Sequence, residues 1–131
     1  MIEQPRLFPI RTFPAQVVRV IDGDTVIVDI DFGMGLHQNW ICRIDGVSCW
    51  KAGTEPGDAA TDFARSVLSV GLKVTCVSLK WDKYGGRIDA RIYLGDGRDF
   101  SEFMIFSGYA ARWNGRGTAP LPPWPIPPRM T

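Results

Sequence analysis

Cysteine and histidine are scarce in this chain of 131 residues, with three of the first and one of the second. Cys42, Cys49 and Cys76 form no CxxC pair and are odd in number. That count argues against a disulfide framework and against a cysteine-rich zinc site, and it suits a reducing compartment. Charge of one sign is missing as well: 15 basic residues face 14 acidic ones, for a formal net charge of +1. No global basic field marks the chain for nucleic acid, so any phosphate-binding surface has to come from local placement. No apolar run reaches the roughly 18 residues of a membrane span. The first 14 residues, MIEQPRLFPIRTFP, hold three prolines and no apolar h-region, so they do not read as a secretory signal.

What is present is ordinary globular material. Hydrophobic residues make up 45% and charged residues 22%, a balance that excludes a disordered chain. Residues 1–14 read as an extended arm, because Pro5, Pro9 and Pro14 interrupt them. From Gln16 the pattern becomes β-branched and alternating. VVRVIDGDTVIVDIDF supplies two strands around an Asp-Gly pair, with Val26, Val28, Ile30 and Phe32 on one face. The GMG at Met34 predicts a turn, and NWICRIDGV returns as a third strand. Strands are thus expected near 16–22, 25–32, 40–46, 73–80 and 87–94.

Two helices interrupt them. AATDFARSVLSVG places Ala60, Phe63, Ala64, Val67 and Leu68 on one stripe, with Asp58 as the expected cap and Gly71 as the stop. DFSEFMIFSG predicts a short helix capped by Asp99, with Glu102 completing a capping box and Gly108 closing it. Beyond Arg112, six prolines between positions 120 and 128 describe a polyproline-type tail. The order is three strands, helix, two strands, short helix, tail. It predicts a mainly β, α+β domain: a five-stranded OB-like barrel with one packed helix and a second short one. The divisions are an N-terminal arm over 1–14, the barrel domain over 15–113 and a proline-rich tail over 114–131.

VIDGDTV, then RIDGVSCWK, then DKYGGR and the helix exit SGYA occur in a recognisable order. From about Ala15 to Trp113 the chain resembles the thermonuclease family, the staphylococcal nuclease-like domains. The resemblance implies an OB-like barrel and, in active members, calcium-dependent hydrolysis of DNA and RNA phosphodiesters. By that resemblance Asp24 stands at the first metal carboxylate, with Asp22 beside it. Arg43 and Arg87 stand at the two phosphate-clamping arginines, Lys83 and Tyr84 at residues near the phosphate and ring, and Trp113 near base-stacking aromatics. Arginine suits such a clamp because its charge is permanent and its donors are forked.

Two positions depart from the family pattern. Ser48 takes the place of the second metal carboxylate, and Lys51 takes the place of the catalytic glutamate. A protonated lysine is no base, and its charge repels a cation. A positioned base is typically worth roughly 10²–10⁴ in rate. Asp45, Glu55 and Asp58 are the nearby acids that a shifted register would bring in. The expectation is therefore a degenerate nuclease-like barrel with no cofactor, or with calcium if active. Arg43, Lys51 and Arg87 would converge on a phosphate. The simpler alternative for the two arginines is ion pairing with Asp22 and Asp24.

Small divergent members of this kind look like proteins encoded by bacteriophages. An assembly role is therefore expected, as a virion component or structural protein joined to partner subunits through its arms. Leu121, Trp124 and Ile126 punctuate the tail with apolar side chains and would be its contact residues. DNA or RNA is the alternative partner, and no membrane is expected. The expected location is the cytoplasm of a bacterial host or a phage particle. Other polar residues read blandly: Asp29 and Asp31 as a solvated strand face, and His37 as an incidental loop residue. The three cysteines read as small core residues, and Phe100, Phe103, Met104 and Phe106 as core or interface.

Overall fold

The computed structural model describes residues 11–81 and 86–127. Five strands close into a barrel: β1 (Arg11–Asp22), β2 (Thr25–Gly33), β3 (Leu36–Ile44), β5 (Lys73–Trp81) and β6 (Arg87–Tyr93). Their order around the barrel is β1-β2-β3-β6-β5, with β5 returning to β1. All neighbours are antiparallel except β3 and β6, which run parallel. A two-stranded ribbon of β4 (Val47–Ser48) and β7 (Ala111–Arg112) lies outside the barrel sheet. The helices are α1 (Glu55–Val67) and α2 (Phe100–Phe106). The α+β, OB-like barrel expected from the alternation is the architecture found. No helix among the described residues is long and apolar enough to cross a membrane.

The barrel follows from residue alternation. Val26, Val28 and Ile30 on β2, Cys42 and Ile44 on β3, Val74 and Cys76 on β5, and Ile88, Ala90 and Ile92 on β6 are all buried. The residues between them point outward. Each fully buried branched side chain contributes roughly 1.5–3 kcal/mol, so the register is held firmly, because a one-residue slip would invert a strand's faces. The β2–β3 turn is a two-residue connection with Met34 at φ 57° and Gly35 at φ 78°. Positive φ at both central positions is the type I′ geometry that matches strand twist. All three cysteines are free and buried. Phe100 and Met104 are buried too, whereas Phe106 is exposed.

Several expected boundaries move. Strand β1 reaches back to Arg11, so residues 11–14 of the expected arm are paired with β5, Pro14 lying opposite Thr75. The cap of α1 is Thr54 rather than Asp58: the Thr54 side chain accepts from the Gly57 amide. Asp58 instead accepts from the Gly53 N–H at 2.8 Å. Helix α1 ends at Val67, before Gly71, because the Gly71 N–H donates to Val17 O and draws the chain into the sheet. Asp99 caps α2 as expected, accepting from the Ser101 amide. Its capping-box partner does not serve that role, since Glu102 makes a bidentate pair with Arg112 at 2.8 and 2.7 Å.

The described part of the tail lies against its own domain. The Trp50 indole donates to the Pro122 carbonyl at 2.9 Å, and Pro122 is buried. Ile126 sits on Gly108 at the end of α2, its Cγ2 2.9 Å from where a Cβ would be. Trp124 and Ile126 are half-buried, and Leu121 remains 46% exposed. Truncation after Thr118 should therefore destabilise the isolated chain by about 2 kcal/mol, from one lost hydrogen bond plus partial apolar burial. Urea unfolding of the two lengths measures this. An unchanged midpoint would return the tail to the role of an arm for a partner.

Candidate nucleic-acid cleft

The site is built at the end of β3. The turn from β1 to β2 is Asp22-Gly23-Asp24-Thr25, with Asp22 paired to Thr25 and the Asp24 amide donating to Asp22 Oδ1 at 3.1 Å. Gly23 is required by close packing rather than by φ. A Cβ there would lie 3.1 Å from Ala60 Cβ and Cys49 Sγ and 3.2 Å from Met104 Cε. The turn is tied to β3 by the Ile44 amide, which donates to Asp24 O at 2.8 Å.

Asp24 is a half-buried carboxyl. Burial, reinforced by its hydrogen bond with Asp22, pushes its pKa from 3.8 up to about 6, while Arg43 pulls the other way. Its Oδ1 accepts from the Thr25 hydroxyl at 3.1 Å, and its Oδ2 lies 3.8 Å from the Arg43 guanidinium. Beside it, burial and the two aspartates push the Cys49 thiol up, away from its reactive thiolate form.

Arg43 is held mainly by backbone. Its guanidinium donates to Ile44 O at 2.9 Å and Val47 O at 3.2 Å, and its Cζ lies 5.8 Å from the centroid of Trp113. Trp113 is fixed in turn: its amide donates to Gly46 O and its indole to Arg116 O, at 3.0 and 2.9 Å. Arg43 and Arg87 meet in one cleft of about 500 Å³, lined also by Asp45, Lys80, Trp81, Asp89 and Trp113. Lys80 lies 3.8 Å from Asp89, and Asp45 is paired with Arg91 at 3.3 Å.

The structure thus brings together Arg43, Arg87 and Trp113 among the expected site residues. Asp24 lies beside Arg43 and Asp22 beside Asp24, neither lining the cleft, and Lys51 is exposed outside that lining. Lys51 thus stands apart from the lining that the two arginines share. Lys51 has a backbone part instead, its carbonyl accepting from the Thr54 hydroxyl at 2.6 Å ahead of α1. Ser48 is 4% exposed and pairs with Ala111. Lys83 and Tyr84 lie outside the described residues. Lys80 and Trp81 are cleft residues that sequence reading missed. A basic residue and an aromatic one immediately before DKYGG were the available signal.

Calcium takes six to eight oxygen ligands. Here the near carboxylates are Asp22 and Asp24, and Asp24 already serves Thr25 and Arg43. Asp45 is engaged by Arg91, Asp89 lies 3.8 Å from Lys80, Asp58 accepts from the Gly53 amide, and Glu55 is exposed at the start of α1. This donor set does not fit the ion that the family resemblance implies.

No family model matches the chain. It is 31% identical over 108 residues to a protein of Escherichia coli named "Uncharacterized endonuclease". A protein of the same name from Escherichia coli O157:H7 is 30% identical over 108 residues. Each match covers 82% of this chain and spans 66% of the relative's length. By its barrel and by these relatives, the chain is similar to nuclease-like proteins.

Proposed function

We propose that the chain is a thermonuclease-type barrel whose cleft binds the backbone of single-stranded DNA or RNA, with hydrolysis lost or reduced to a trace. The observation that carries this reading is the joint presence of Arg43, Lys80 and Arg87 with the rings of Trp81 and Trp113 in one cleft. Cations that track phosphates beside aromatic platforms for bases are the chemistry of strand binding without base-specific readout. Weak hydrolysis follows from Ser48 and Lys51 at the positions of a metal carboxylate and a catalytic glutamate. It is supported by the poor fit of the remaining carboxylates to calcium. The assembly role rests on the tail, whose described part packs on its own domain, so the cleft carries the proposal instead. The name of the Escherichia coli relatives favours a second reading, an active endonuclease.

Fluorescence anisotropy of a labelled oligothymidylate, in chelator and at low ionic strength, tests the proposal. Binding is expected, weakening as salt rises and falling roughly tenfold in Trp113→Ala, the size of one lost stacking contact. Absence of binding at low salt would overturn it in favour of the assembly role. A parallel incubation with single-stranded DNA and millimolar calcium should leave the strand intact. Cleavage that disappears in Asp24→Ala would establish the endonuclease reading.

A further inference from the structure

A second hollow opens at one end of the barrel, where β1 begins, β2 and β5 finish, and β3 and β6 start. Its walls include Phe13, Phe32, Trp40 and Trp81, with Arg11 and Lys80 among the lining residues. Phe13 meets Phe32 edge to face at 5.0 Å, and Trp40 meets Trp81 in the same way at 5.0 Å. These rings are not simply a plug for the core. Trp81 is 64% exposed and Phe32 42%, so about half of each apolar face is in water.

Three observations point to one occupant. Lys80 and Trp81 line both this hollow and the cleft beside Arg43 and Arg87, so the two meet at those side chains. A bulge in β5 between Ser78 and Lys80 makes this possible: it sets Lys80 opposite Asp89 and Trp81 opposite Ile88. Strand ladders are commonly broken this way to re-aim side chains beside functional sites. The hollow also pairs cations with rings, which suits an occupant that is anionic along its backbone and aromatic in its side groups. Finally, the Trp40 Nε1–H is buried and has no acceptor among the described residues. An orphaned buried donor is costly unless an acceptor arrives.

We propose that this aromatic hollow is a base-binding subsite that extends the cleft, so that one single strand runs from Trp113 past Lys80 and Trp81 into the barrel mouth. Phosphates face Lys80 and Arg11. A base is received by Phe32 and Trp81, and its carbonyl oxygen accepts from Trp40 Nε1. The inference rests on the strand-binding reading above. It adds that the chain distinguishes strand length, because a short oligomer fills the cleft alone and a longer one reaches both subsites. OB-type sites take roughly 4–16 nucleotides, so an octanucleotide is long enough.

Anisotropy titrations of labelled thymidine dinucleotide and octanucleotide, in chelator, separate the two readings. The variants are Phe32→Ala and Trp40→Phe, which line only the barrel mouth, and Trp113→Ala, which lines only the cleft; circular dichroism melts show whether each folds. The octanucleotide should bind the unmodified chain more tightly than the dinucleotide. Phe32→Ala and Trp40→Phe should each weaken the octanucleotide roughly five- to tenfold and leave the dinucleotide unchanged, while Trp113→Ala weakens both. If Trp113→Ala weakens the octanucleotide and the two mouth variants do not, the subsite is refuted and strand binding by the cleft stands. If neither oligomer binds the unmodified chain, both readings fall together.

Discussion

Replacing Gly57 by alanine should unfold the domain at far lower denaturant, a loss of roughly 3–5 kcal/mol. Propensity alone argues the reverse, since glycine inside a helix is less favourable than alanine by roughly 0.5–1 kcal/mol. Gly57 is buried, two residues after the start of α1, and a Cβ there would overlap the Lys51 carbonyl and lie 2.8 Å from Thr54 Oγ1. Neither group can retreat cheaply. The Lys51 carbonyl accepts from the Thr54 hydroxyl and amide, and the Thr54 hydroxyl caps the helix at the Gly57 amide. A methyl group at this position breaks the cap or drives the Lys51–Thr54 turn away from α1. Gly95 is the control, because a Cβ there meets nothing within 4 Å. Urea unfolding of both alanine variants decides the matter: equal midpoints would mean that the turn yields.

Stability should also fall as pH rises from 4 to 7, and Asp24 is the cause. Its carboxyl titrates near 3.8 when unfolded and at about 6 in the fold, chiefly through burial. A folded-state pKa above the unfolded one favours the protonated form in the native state. That contribution is fully present below about pH 3.8 and is lost as pH climbs through 6. One pK unit corresponds to about 1.4 kcal/mol, so the climb from 3.8 to about 6 amounts to about 3 kcal/mol. Asp24→Asn keeps the shape of the protonated group and can still face Asp22. Relative to the unmodified chain it should gain about 2–3 kcal/mol between pH 4 and 7. Parallel stability profiles for the two proteins would refute this assignment.

The cleft is a modest electrostatic device. Lys80 lies beside Asp89, and Arg43 spends two donors on the carbonyls of Ile44 and Val47. With a formal net charge of +1, no long-range field adds to it. Binding should therefore draw on stacking against Trp113 and Trp81 as much as on phosphate contacts, and its salt dependence should correspond to a few counterions.

Local order was legible in the sequence. The alternation from Val26 to Ile30 specifies which side of β2 is buried, because the side-chain period of a strand is two. Asp99 announces the start of α2 because its side chain reaches an amide two residues on. Arg43, Arg87 and Trp113, which the resemblance singled out, line one cleft. Tertiary contact decided the rest. Asp58 is the cap that the sequence suggests, but the helix starts at Glu55, with Pro56 in its first turn, and that start leaves the role to Thr54. Nothing local says that Lys80 and Trp81 join Arg43 across strands, since that depends on β6 lying between β3 and β5 and on the bulge before Lys80. The tail's prolines make it extended, but whether it leaves the barrel or returns depends on Trp50, 72 positions away from Pro122. Periodicity reports on neighbours along the chain; the cleft, the buried Asp24 and the folded-back tail arise from neighbours in space.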